Sequence, residues 1–116
     1  MREWTTLSGI AFSRDGDHLR AALPEKLWAS NHADLLTPLR EAIDDGVRRV
    51  TLDLANTQYV DGAAAGTLSR IDGLLREAGG SRLVLRHCDP HLMEYFTLSG
   101  VTERFVFEAC ARWPSP

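Results

Sequence analysis

Val60-Asp61-Gly62-Ala63-Ala64-Ala65-Gly66 divides two kinds of periodicity. Before it, Val50-Thr51-Leu52-Asp53-Leu54 alternates apolar and polar residues, the pattern of a strand with one buried face. After it, Ala64, Leu68, Ile71, Leu75 and Ala78 recur at helical spacing, with Thr67, Arg70, Arg76 and Glu77 on the other side, so a helix is expected over residues 64–78. A strand running into a helix leaves the helix's first N–H groups unpaired and its positive dipole end exposed. Asp61 stands there as an N-cap, as an acid that contacts a partner, or as both. Gly62-Ala63-Ala64 reads as a tight turn of small residues, with positive φ open to Gly62, or as a surface kept flat for docking.

Outward from this junction, residues 7–12 and 18–23 read as two strands joined by Ser13-Arg14-Asp15-Gly16-Asp17, whose Asp-Gly pair is a hairpin signal, and Pro24 closes the second. Leu35, Leu36, Leu39 and Ile43 mark a helix that ends near Asp45, with Gly46 just beyond it. Pro38 interrupts that pattern. Inside a helix it costs about 3 kcal/mol, so either Thr37 is the N-cap and Pro38 the first helical residue, or a helix from about Asn31 is kinked there. Gly79-Gly80 stops the second helix, and Leu83-Val84-Leu85 is a buried strand. Asp89-Pro90 opens a third helix with Leu92, Met93 and Phe96 inward and Gly100 at its end. Phe105-Val106-Phe107 is a last strand, and residues 108–116 read as a frayed turn or disordered tail.

The order is two strands, then helix and strand three times over. Right-handed crossovers between parallel strands turn this into an α/β fold, with a single layer of helices on a mixed, mainly parallel sheet of four to five strands. The opposite sheet face is expected to be partly covered, which suits a homodimer contact. A chain of 116 residues with 44% apolar content fits one domain, its core at about residues 7–107. A net charge of -3 with mixed signs gives no footprint for nucleic acid. No apolar run approaches a membrane span and no signal peptide is evident, so a cytoplasmic protein is expected, with Cys88 and Cys110 as free thiols.

Taken together, Asp53, Tyr59-Val60-Asp61, the small residues to Gly66 and Leu68, Ala78-Gly79-Gly80, Leu83-Val84-Leu85 and Leu98-Ser99-Gly100-Val101 before Phe105 resemble a STAS domain, the family of the anti-sigma factor antagonists. The resemblance spans about residues 7–107. In its signalling members the acid is followed by two hydroxyl residues and then Gly-Leu-Gly, and a partner kinase phosphorylates the first hydroxyl. Matched position by position, Asp61 keeps the acid and Gly66 the last glycine, whereas Gly62 and Ala63 replace both hydroxyls, Ala64 a glycine and Ala65 the leucine. The resemblance therefore implies the fold and a protein-binding, anti-sigma factor antagonist-like role without the phosphorylatable serine. Thr57, Thr67 and Ser69 remain as other hydroxyls.

The implied contact set is Asp61, Gly62, Ala63, Ala64, Ala65 and Thr67, with Trp28 and Asn31 from the loop before the first helix. Trp28 reads as a lid on the core or as an interface anchor. The implied partner is a serine-kinase-type anti-sigma factor or an ATPase subunit. A second reading is an accessory subunit of a lipid-transporting ABC complex or a stress-signalling scaffold, and a third is a small-ligand or nucleotide site at the helix start. His87-Cys88-Asp89-Pro90-His91 matches no metal-ligand spacing, and Asp89 is better used as a cap, so no metal or cofactor is expected. No acid–base or nucleophile pair stands out, so an enzyme is not expected.

Overall fold

The computed structural model describes residues 2–110. Eight strands and three helices follow in the order β1 (Arg2–Thr5), β2 (Ala11–Asp15), β3 (His18–Ala22), β4 (Lys26–Leu27), α1 (His32–Asp44), β5 (Arg49–Asp53), β6 (Tyr59–Val60), α2 (Gly62–Glu77), β7 (Val84–Arg86), α3 (Pro90–Leu98) and β8 (Val106–Glu108). The main sheet has the order β1-β2-β3-β5-β7-β8, and β4 and β6 form a small parallel pair of their own. β1, β2 and β3 are antiparallel; β3, β5, β7 and β8 are parallel. Each crossover steps the same way across the sheet. Right-handed connections then put α1, α2 and α3 on one face.

Side-chain alternation follows from that single layer. Phe12, Ala21, Leu52 and Leu85 lie abreast in the register and are buried under the helices. Their neighbours Ala11, Arg20, Ala22 and Arg86 face away and are exposed. From the helices, Leu35, Leu39 and Ile43 of α1 and Ala64, Leu68, Ile71 and Leu75 of α2 meet the buried sheet face. The helix-free face carries charged and small side chains.

The architecture is the expected α/β layer, and the differences are local. The sheet has six strands because β1 adds an edge that no periodicity announced. It is held by Trp4 stacking on Phe12 at 5.0 Å, with the Arg2 guanidinium over the Trp4 ring. The strand expected over residues 7–12 begins only at Ala11. Residues 7–9 are a turn instead, closed by Thr6 N–H to Ile10 O and by Ile10 N–H to Thr6 Oγ1. The helix containing Pro38 takes the longer of the two expected forms and runs through the proline. Its buried stripe of Leu35, Leu39, Ala42 and Ile43 offsets the missing hydrogen bond. The expected tail over residues 108–116 begins in β8 at Glu108, and its residues 111–116 lie outside the described residues.

Two joints fix α2 against the sheet at its far end. Gly80 packs so closely that an added Cβ would stand 2.5 Å from the Arg48 carbonyl oxygen and 3.0 Å from that of Leu75. Asp72, buried on α2, accepts the Leu83 N–H at 2.9 Å and pairs with Arg76 at 3.1 Å. Together they set where β7 begins.

Candidate functional site

Asp61 organises the start of α2. Its backbone is extended and its Oδ1 accepts the Ala64 N–H at 2.9 Å, so the helix begins at Gly62, two residues before the first apolar position of its stripe. Oδ2 accepts the Ala29 N–H at 2.9 Å, and the Asp61 N–H donates to Leu27 O. One carboxylate thus caps a helix and ties it to the loop after β4. The Ala64 N–H above all, then the Ala29 N–H and the neighbouring His32, hold its carboxyl below the ordinary value of 3.8. A depressed value in the folded state stabilises the fold above that pH, and the contribution disappears as acid protonates the folded carboxyl. Melting temperatures of wild type and Asp61→Asn should therefore differ at neutral pH and converge as the pH falls below 3.8. A constant gap down to strong acid would contradict this role.

The candidate residues divide into exposed and buried sets. Gly62 and Ala63 are exposed, Ala65 is half-buried, and nothing lies within 4 Å of a Cβ added at Gly62. Gly62 does not have the positive φ held open for it, because it is the first residue of a regular helix. Ala64 is fully buried and cannot be a surface contact: three residues past the cap, its side chain points into the core. Thr67 is also buried, one turn further along the same stripe, with its Oγ1 2.7 Å from His32 Nδ1. Placing it on the exposed side was wrong. Asn31 is buried as well and acts as a loop staple, its Oδ1 accepting the Trp28 N–H and its Nδ2 donating to Lys26 O. Thr57 is buried with its hydroxyl donated to Pro24 O.

Trp28 is 41% exposed, so it does not serve as a lid on the core. Lys26 Nζ lies 5.9 Å from its ring centroid, and Lys26 stands opposite Tyr59 in the β4–β6 pair. Tyr59 is 49% exposed. From there a shallow depression of about 340 Å³ runs between α2 and α3, lined by Gln58, Tyr59, Asp61, Gly62, His91 and Tyr95 among others. The sequence reading missed Tyr59 as an exposed group and Tyr95 as a half-buried wall of this depression. The available signal was alternation: Val60 points inward, so Tyr59 must point out. The helix start is also already filled by a carboxylate. An anionic ligand would meet like charge there, which works against a nucleotide site.

A second concavity, about 390 Å³, lies on the helix-free face between Arg20, Thr51, Asp53 and Arg86. Of its lining residues, Thr51 has its hydroxyl 2.8 Å from His18 Nε2. Among the described residues, no helix is long and apolar enough to cross a membrane and no side-chain cluster suits a metal ion.

Comparison with known proteins places this geometry. The family model described as "Mlab, STAS domain" matches residues 10–107. A protein of Bordetella bronchiseptica named "Putative anti-sigma factor antagonist BtrV" is 33% identical over 87 residues, 75% of this chain and 74% of that protein. Among solved structures, the unphosphorylated anti-sigma factor antagonist SpoIIAA superposes with a TM-score of 0.77 at 15% identity, covering 86% of this chain and 88% of the other. An anti-sigma-factor antagonist (STAS) domain protein from Planctomyces limnophilus superposes at 0.73 with 14% identity, covering 84% and 87%.

Proposed function

The chain belongs to the STAS family, and on that premise we propose that it is a protein-binding regulator of the anti-sigma factor antagonist kind, held permanently in its binding-competent form. The partner is a serine-kinase-type anti-sigma factor with a histidine-kinase-like ATPase fold, met in the cytoplasm. This chain sequesters it without catalysing anything.

One observation carries the reading. The exposed start of α2 presents Gly62 and Ala63 beside a rim of exposed aromatics, Tyr59 and Trp28, with no hydroxyl on the first turn. In a phosphorylatable relative, a phosphate at this point would add about -1.5 to -2 charges to a contact surface. Here the position is a glycine with open space around it. Thr57 and Thr67 offer no substitute, since both are buried and bonded.

The test uses capture from native extract with wild type, Ala63→Glu and Gly62→Ser as baits, followed by incubation with ATP. Wild type should retain an anti-sigma kinase and take up no phosphate. Ala63→Glu, changed at an exposed site, should fold normally and retain the partner at least tenfold less well. Gly62→Ser should fold, accept phosphate from the captured kinase and release it. Equal retention by wild type and folded Ala63→Glu would count against this surface.

A second reading, an accessory subunit on the ATPase of a lipid-transporting ABC complex, is favoured by the same missing hydroxyl, because such a role requires no phosphorylation. It predicts capture of a transporter ATPase in every nucleotide state, with Gly62→Ser remaining unphosphorylated.

A further inference from the structure

We propose that Cys88 and Cys110 form a reversible dithiol–disulfide couple that ties the end of β8 to the loop entering α3. The first support is register. β7 and β8 are parallel, and their last paired residues are Arg86 and Glu108. The ladder continues one step further through the His87 N–H to Glu108 O, at 3.1 Å. The same 22-residue offset sets Cys88 abreast of Cys110. Adjacent strands stand about 4.8 Å apart, within the roughly 4.4–6.8 Å between Cα atoms that a disulfide spans.

The second support is a matched distortion. Among the described residues, the non-glycine residues with positive φ are His87, at 60°, and Ala109, at 52°. Each directly precedes one of the two cysteines. Both strands therefore leave the sheet by the same left-handed step, which keeps the cysteines side by side where diverging exits would separate them. Backbone in this region is unfavourable for a residue with a Cβ, and such outliers gather where geometry serves a purpose. The outcome is direct contact: the Cys88 N–H donates to Cys110 Sγ at 3.2 Å. The Cys110 thiol lies within reach of two carbonyl oxygens, that of Glu108 at 3.2 Å and that of Leu85 at 3.6 Å.

The two thiols differ in access. Cys88 is buried and Cys110 is partly exposed. Burial first, then the adjacent Cys110 sulphur, push the Cys88 thiol up, so it stays protonated while Cys110 meets solvent. With a small disulfide such as oxidised glutathione as oxidant, the Cys110 thiolate attacks one sulphur. A mixed disulfide forms and one glutathione thiolate leaves. Cys88 then loses its proton and attacks the Cys110 sulphur, forming the internal bond and expelling the second glutathione thiolate. Two cysteine thiols are oxidised, one glutathione disulfide is reduced to two thiols, and the two cysteine protons end on the leaving thiolates.

The position also gives the bond a target. Asp89 follows Cys88 and caps α3 by accepting the Leu92 N–H at 2.8 Å. α3 in turn supplies His91 and Tyr95 to the depression beside Gly62. Oxidation would stiffen one wall of that depression. This consequence rests on the docking reading above, whereas the bridge itself does not.

The experiment equilibrates the full chain with glutathione buffers of increasing oxidation, traps remaining thiols with N-ethylmaleimide, and maps the digested protein by mass spectrometry. Wild type should lose both alkylatable thiols together, form no disulfide between chains and yield one cross-linked peptide pair joining Cys88 to Cys110. Cys110→Ser should keep Cys88 alkylatable under denaturing conditions. The oxidised protein should melt higher by about 5 °C or more, as expected for a bridge closed without distortion. A persistent glutathione adduct on Cys110, disulfide-linked dimers, two free thiols in the most oxidised buffer, or a lower melting temperature on bridging would each overturn the proposal. Reading the bridge by mass and the partner by capture keeps failure of this inference separate from failure of the docking reading.

Discussion

Ala64→Glu should lose more than about 4 kcal/mol of stability, while Ala63→Glu, one residue earlier, melts close to wild type. Ala64 has no exposed surface and faces a core built from Leu68, Ile71, Leu75 and the buried sheet face. A glutamate there must displace packed core side chains and brings an unsolvated charge among them. Overpacking costs about 1–3 kcal/mol, and an unpaired charge in the interior adds several more. The sum exceeds about 4 kcal/mol, against a total stability of about 5–15 kcal/mol for a domain. Ala63 is exposed, so the same change there adds only a solvated charge near a helix N-terminus. Circular dichroism and urea unfolding of the two proteins side by side check this. A cooperatively folded Ala64→Glu with near-native stability would show that the burial assigned to this position is wrong. Only Ala63→Glu, then, can report on partner binding.

Removing the Asp72 carboxylate should be the next most damaging change among those considered. It sits mid-helix in α2, where an acidic residue between Ile71 and Leu75 reads as a polar interruption. Its Oδ1 accepts the N–H of buried Leu83, the residue leading into β7. Asp72→Ala leaves that donor unpaired, at about 1–3 kcal/mol, and opens a small void. The ion pair with Arg76 adds at most about 1 kcal/mol, because the arginine is 47% exposed. A loss of about 2–4 kcal/mol is expected in urea unfolding. Asp72→Asn retains a carbonyl oxygen for Leu83 and should lose about 1 kcal/mol. Equal effects from the two changes would mean that the charge, and not the hydrogen bond to Leu83, is what matters.

These two residues mark where the sequence was legible and where it was not. Periodicity over several turns identified α2, and alternation identified β5, since each repeats its signal enough times to stand out. Asp89-Pro90 announced α3 because cap and first-turn proline are local chemistry, and Asp89 does accept the Leu92 N–H. β4 and β6 have two residues each, too few to show a period. β1 depends on Trp4 finding Phe12 across a hairpin, a contact between residues rather than a property of either. Thr67, Asn31 and Asp72 were invisible for a shared reason. A polar residue is buried when a particular partner satisfies it, and no periodicity names that partner: Thr67 meets His32, Asp72 meets Leu83, and Asn31 meets Lys26 and Trp28. The candidate surface was half legible: the missing hydroxyl at the start of α2 could be read, but not which small residues faced water. Tyr95 and the contact between the cysteines emerged only with the placement of α3 and the register of β7–β8.

The open space around Gly62 has an evolutionary consequence. The backbone there is ordinary helix and no neighbour approaches an added Cβ, so the fold tolerates serine as readily as glycine. Glycine and serine codons can differ by one base. Stability alone therefore does not decide between the two residues, and under the proposed function a lineage could gain or discard covalent control of a partner in a single mutational step. Under that reading, whether a descendant is a switch or a fixed setting depends on whether it meets a kinase, while the scaffold stays the same.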